Sequence, residues 1–236
     1  MDIEKEESEE IVYRESGNIV SNSDRLVFVD FNFKDVDRLR TFYNIAKDNE
    51  IKFVVKINDI YFLKHLSQDL KLVPNIDNED NIIYLPKRGN GTYSDSDYKG
   101  KDSQLIDLHN AWTAEQISKR ESKVLCTTGF FSFSALIDMK PKPGDIYIHS
   151  ASEPYNEEQD FDQMRINNRI EHFGMSQFQS HYSGHARGQD LLNVVKKINA
   201  KMIFLVHTEH PEAYKKVSEN TTIIEEGRQY SIKRWN

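Results

Sequence analysis

Short apolar runs and amphipathic stretches take turns along the chain. Runs at 26–30, 53–56, 82–85, 124–127, 146–149 and 202–207 are rich in Val, Ile, Leu and Phe, the composition of strands buried on both faces, and 177–182 reads as a further strand. Between them, 35–49 places Val36, Leu39, Tyr43 and Ala46 on one helical face, and helices are likewise predicted over 59–66, 103–121, 132–139, 161–173 and 188–198. A helix over 9–22, despite Gly17, opens the series; a helix over 211–217 and strands at 222–224 and 229–232 close it. Strands alternating with helices across short links predict an α/β fold with a mostly parallel sheet and flanking helices. The polar, turn-rich stretch 75–101, with Arg88-Gly-Asn-Gly91 and Ser94-Asp-Ser-Asp-Tyr-Lys-Gly100, reads as a surface excursion or a boundary.

Composition narrows the class. Thirteen Phe, 11 Tyr and 2 Trp against 10 Gly and 6 Pro in 236 residues supply a packed core and exclude a fibrous or disordered chain. Net charge is −7, with six acids and one lysine crowded into residues 1–10. The remainder is close to neutral, so bulk charge gives no argument for a polynucleotide, although a local basic groove stays open. The single cysteine, Cys126, cannot form an intramolecular disulfide, and its Val-Leu-Cys flank is that of a buried strand. A reducing cytoplasm is the expected location. No apolar run approaches the ~18–20 residues that span a bilayer, and the acidic start lacks signal-peptide character.

In a parallel sheet the carboxyl ends of the strands share one edge, where open α/β sheets bind ligands. Those ends read Asp30-Phe-Asn32, Thr127-Thr-Gly129, His149-Ser-Ala-Ser-Glu-Pro154, His181-Tyr-Ser-Gly-His185 and His207-Thr-Glu-His210, and a common cleft is expected there. His185 and His207 stand 22 residues apart, the length of a turn, a helix and a strand, which would bring both imidazoles to one edge from neighbouring strands. Gly129 and Gly184 permit close backbone approach, and the hydroxyls beside them suit phosphate oxygens. Helix capping is the competing role for Thr128 and Ser152. His210 could share a metal with His207. His65, His109 and His172 fall inside predicted helices without partners, and Lys140-Pro-Lys-Pro-Gly144 reads as a rigid turn.

The stretch His181-Tyr-Ser-Gly-His-Ala186, followed by Leu205-Val-His-Thr-Glu209, resembles the two carboxy-terminal motifs of the β-CASP branch of the metallo-β-lactamase fold. That branch includes ribonuclease J and the archaeal and eukaryotic mRNA 3′-end processing nucleases. The resemblance implies a phosphate-contacting catalytic role for His185 and a zinc-ligand role for His207. It also makes Thr127, Thr128 and Gly129 a Thr-Gly turn of the family type. Ser150 and Ser152 become part of a phosphate-contacting loop, joined by Ser183 and Gly184. Residues 27–43 look like the first βα unit of the β-CASP insertion. The implied organisation is an acidic segment and helix at 1–22, a β-CASP-like domain at 23–176, and at 177–236 the carboxy-terminal part of a metallo-β-lactamase (αββα) domain.

The family's His-x-His-x-Asp-His cluster is absent, and catalytic zinc needs about three protein ligands. The chain therefore looks like the carboxy-terminal half of such an enzyme, its dinuclear zinc site incomplete or absent. The implied partners are RNA, a separate amino-terminal metallo-β-lactamase half, or a second copy, with no membrane. The alternative is a non-catalytic module that holds RNA or protein. The weakest reading is an unrelated α/β enzyme using Cys126 or Ser183 as nucleophile, since Ser183 has no Gly-x-Ser-x-Gly elbow.

Overall fold

The computed structural model describes residues 8–69, 81–106, 108–119, 123–129, 133–182, 188–206 and 208–230. The chain divides into two compact units, Met1–Tyr182 and Ser183–Asn236.

In the first unit the apolar runs become strands β1 (Val27–Asp30), β2 (Lys52–Lys56), β3 (Asn81–Leu85), β5 (Val124–Thr128) and β6 (Ile146–His149), and two less apolar segments add β4 (Ala111–Thr113) and β7 (Ser176–Gln179). They form one sheet in the order β4-β3-β2-β5-β1-β6-β7, and every pairing is parallel. The expected α/β architecture is present.

Alternate side chains of the central strands feed two cores. Val27, Val29, Phe53, Val55 and Leu125 pack with α1 (Glu9–Ser21), α2 (Val36–Asp48) and α3 (Ile57–Asp69). Phe28, Val54, Cys126 and Tyr147 pack with α4 (Ala114–Lys119), α5 (Phe133–Met139) and α6 (Glu157–Phe173). Thus the chain leaves β1 toward one face and leaves β5 and β6 toward the other, which opens a crevice beside the carboxyl end of β1.

Local chemistry fixes the helix ends. Asp35 caps α2 by accepting from the Arg38 amide at 3.1 Å, and Asn156 caps α6 through Gln159 at 2.9 Å. Three acids in the first turn of α6 complement its dipole, and Gly174, at φ +63°, ends it in the left-handed region that favours glycine.

Two expectations in the first unit need correction. The helix expected over 103–121 is instead a 3-10 turn (Gly100–Leu105), strand β4 and the short α4. Asn110 is buried and donates to the Asn81 carbonyl at 2.9 Å, so pairing with β3 overrides the helical pattern. On α2 the buried face is Arg38, Leu39, Thr41, Phe42, Ile45 and Ala46, with Tyr43 only half-buried. The stripe is rotated because polar Arg38 and Thr41 find partners inside.

The second unit holds α7 (Gly188–Ile198), β8 (Ile203–Leu205), α8 (Pro211–Lys215) and β9 (Thr221–Ile223), with β8 and β9 paired in parallel. Because β8 pairs with β9 and not with β7, the two histidine motifs do not follow neighbouring strands of one sheet. Of the strand expected at 229–232, residues 229 and 230 are not strand and the rest lie outside the described residues.

Cys126 is 1% exposed, and burial pushes its thiol far above the ordinary range. A thiol that ionises so reluctantly is no nucleophile. Native protein should therefore leave Cys126 unlabelled by a thiol-reactive disulfide reagent over the minutes in which denatured protein reacts fully. Rapid labelling of the folded chain would contradict this burial.

Candidate functional site

The crevice is a cleft of about 450 Å³, with Asp30, Asn32, Phe33, Lys56, Thr128, Gly129, His149, Ser152, Gln159 and Gln163 among its lining residues. Register explains the convergence: Asp30 of β1 lies opposite Thr128 of β5 on one side and His149 of β6 on the other. Consecutive strand ends thereby place a carboxylate, a hydroxyl and an imidazole side by side.

Asp30 is the buried centre of the floor. It accepts from the Tyr147 hydroxyl at 2.7 Å, and its carboxylate, after burial itself, contributes to driving that phenol's ionisation far above the ordinary range. His149 Nδ1 lies 3.4 Å from Asp30 Oδ2, within ion-pair reach but off the line of a hydrogen bond. Neither ring nitrogen of His149 has a hydrogen-bond partner among the described residues, although the residue is only 7% exposed. Gly129 sits close above: a Cβ there would come within 3.3 Å of Asp30 Oδ1, so this position has little room for a side chain. Lys56 brings positive charge to the cleft, 3.4 Å from Asp59.

The residues singled out in the sequence divide into three groups. Thr128, Gly129 and Ser152 line the cleft. Thr127 and Ser150 are buried, and their hydroxyls are committed within the protein: Thr127 donates to the Val54 carbonyl at 3.1 Å, and Ser150 donates to the Ser180 carbonyl. Ser183, Gly184, His185 and His207 lie outside the described residues.

In the sequence Asp30 stands out only as a strand end and His149 as a strand end opening the 150–154 loop, whereas Lys56, Tyr147 and Arg38 are not singled out. The signal for Arg38 was available: at i, i+4, i+7 and i+8 it shares a stripe with Phe42, Ile45 and Ala46. A cation on an apolar stripe has to be satisfied inside the fold. Arg38 Nη1 lies 3.2 Å from His181 Nδ1. Burial first, and then this positive charge, hold the His181 imidazole below its ordinary titration range.

Among the described residues no group of three or more His, Cys, Asp or Glu side chains is placed to hold a metal ion. No helix there is long and apolar enough to cross a membrane.

Comparison with known proteins agrees with the fold and adds a functional class. Among solved structures, a protein of unknown function from Enterococcus faecalis V583 matches with a TM-score of 0.65 at 16% identity, over 94% of this chain and 45% of that one. The chain thus spans less than half the length of that relative, and at this identity the likeness speaks to the fold alone. No curated protein matches. Residues 165–219 match the family model of the Zn-dependent metallo-hydrolase RNA specificity domain, a stretch that runs from within α6 through β7, α7, β8 and α8.

Proposed function

We propose that this chain is the RNA-handling half of a zinc-dependent ribonuclease of the β-CASP metallo-β-lactamase type, similar to ribonuclease J. Phosphodiester hydrolysis would then require an amino-terminal metallo-β-lactamase half. The match of residues 165–219 to an RNA specificity domain carries this reading. The cleft supports it with groups that suit a phosphate-bearing polymer: the Thr128 hydroxyl, the open backbone at Gly129, the exposed Ser152 and the Lys56 ammonium. In this reading His185 meets the scissile phosphate and His207 is a zinc ligand, with the chain divided at 1–22, 23–176 and 177–236, although β7 (Ser176–Gln179) pairs within the sheet of the first unit. Thr127 and Ser150 shape the cleft from behind. The described residues do not assemble a zinc site.

A second reading, a non-catalytic module for a protein partner, is favoured by the exposed apolar residues Leu191, Val194 and Ile198 of α7. Binding of a fluorescent single-stranded oligoribonucleotide separates the two. The purified chain should bind it saturably and lose affinity as salt rises. Gly129→Val, which crowds Asp30, should weaken binding about tenfold, because binding groups must be held close to their productive geometry. A chain with no affinity for RNA at low salt would leave the protein-binding module standing.

A further inference from the structure

Arg38 is 1% exposed, and its guanidinium is engaged on every side. Nε donates to Glu9 Oε1 at 2.7 Å, and Nη2 lies 2.7 Å from the same oxygen. Nη1 donates to the Ser150 carbonyl at 2.8 Å and the Ser150 hydroxyl at 2.6 Å, and reaches His181 Nδ1 at 3.2 Å. Nη2 also donates to the Tyr182 carbonyl at 3.1 Å. A buried cation is tolerated only when paired and fully hydrogen-bonded. Glu9 supplies the opposite charge, and Thr41 anchors its second oxygen at 2.7 Å. The Ser16 hydroxyl on α1 adds a 3.0 Å bond to Ser180.

Two of the segments that converge on this guanidinium are those the RNA reading depends on. Ser150 begins the loop whose Ala151, Ser152 and Pro154 line the cleft. His181 and Tyr182 lead without a break into Ser183-Gly-His185. Ser150 itself is 2% exposed and its hydroxyl already binds protein, so it acts on a ligand only through where the loop stands.

We propose that Arg38 is a positioning residue for RNA binding: its guanidinium fork fixes the 150–154 loop and the 181–182 segment in one register, with Glu9 of α1 holding the fork in place. The inference rests on the RNA-handling function proposed above. Lysine cannot substitute, because a single ammonium on a flexible stem cannot span Glu9, Ser150 and Tyr182 together.

The test compares the full chain with Arg38→Lys, Glu9→Gln and Leu63→Ala, the last a core truncation on another helix. Urea midpoints, amide hydrogen exchange and affinity for the single-stranded oligoribonucleotide are measured for each. Arg38→Lys should bind RNA about tenfold more weakly and exchange faster at both 150–152 and 181–182, as expected when a bidentate fork is lost. Glu9→Gln should move both readouts in the same direction by a smaller factor, and it serves as the decisive variant should Arg38→Lys not fold. Leu63→Ala should lose stability while its folded fraction binds RNA like the parent. Arg38→Lys binding no worse than Leu63→Ala would overturn the proposal. A parent chain that binds no RNA defeats the RNA reading instead. Exchange then decides the clamp: coupled loosening of the two segments supports it, and unchanged exchange refutes it.

Discussion

Replacing Phe42 by alanine should lower the free energy of unfolding by about 3–5 kcal/mol, the range for deleting a fully enclosed aromatic side chain. Phe42 is 0% exposed in the core between α2 and the sheet. Its ring stacks on Phe31 at a centroid distance of 5.3 Å, Phe31 stacks on Phe33 at 5.9 Å, and Phe33 meets Phe62 edge-on at 6.1 Å. Phe31 and Phe33 follow β1 directly and line the cleft, so the cavity would open beneath the cleft wall. The transition should move to lower urea when followed by circular dichroism. Phe42→Leu, which retains most of the volume, should lose less than half as much, since volume-conserving core changes cost under ~1.5 kcal/mol. A loss below ~1 kcal/mol for Phe42→Ala would show that this aromatic row is not closely packed.

The strands were legible because a central parallel strand is buried on both faces, and continuous apolar runs mark it without any period. Val27, Phe28 and Val29 are all core, divided between opposite sides of the sheet. The face of α2 was harder to read. Its buried polar residues are satisfied by groups remote in sequence, Glu9 at 29 positions and Ser150 at 112, and a local pattern does not carry that information. The same limit applies to the site. Asp30, Thr128, Gly129 and Ser152 could be found because strand ends and the loops that follow them can be found. Lys56 reads like any lysine closing a strand, and Tyr147 like any core aromatic, until the pairing of β6 with β1 brings Tyr147, two residues before His149, within reach of Asp30. The 103–121 segment misled for a related reason: a three-residue strand at the sheet edge is decided by its neighbour β3 and by the Asn110 bond to Asn81, not by its own periodicity.

Co-expression with a metallo-β-lactamase-type amino-terminal polypeptide should produce a stable complex with zinc and ribonuclease activity, whereas the chain alone should self-associate and show none. The second unit motivates this expectation. None of the residues of α7 is buried, yet Leu191, Val194 and Ile198 recur at helical spacing and are 39%, 49% and 69% exposed. Met202 and Val206, flanking β8, are also exposed. An amphipathic helix whose apolar stripe meets water favours association. The occupant proposed is the metal-binding half, on the reading of residues 165–219 as an RNA specificity domain of Zn-dependent metallo-hydrolases. Val194→Asp, which sets a charge in the middle of the stripe, should abolish the complex on size-exclusion chromatography while leaving the helix intact. His207→Ala should preserve the complex but abolish activity, since it removes a ligand of the proposed zinc site. A monodisperse monomer that neither self-associates nor captures the added half would reject the half-enzyme and leave α7 as a surface for some other protein.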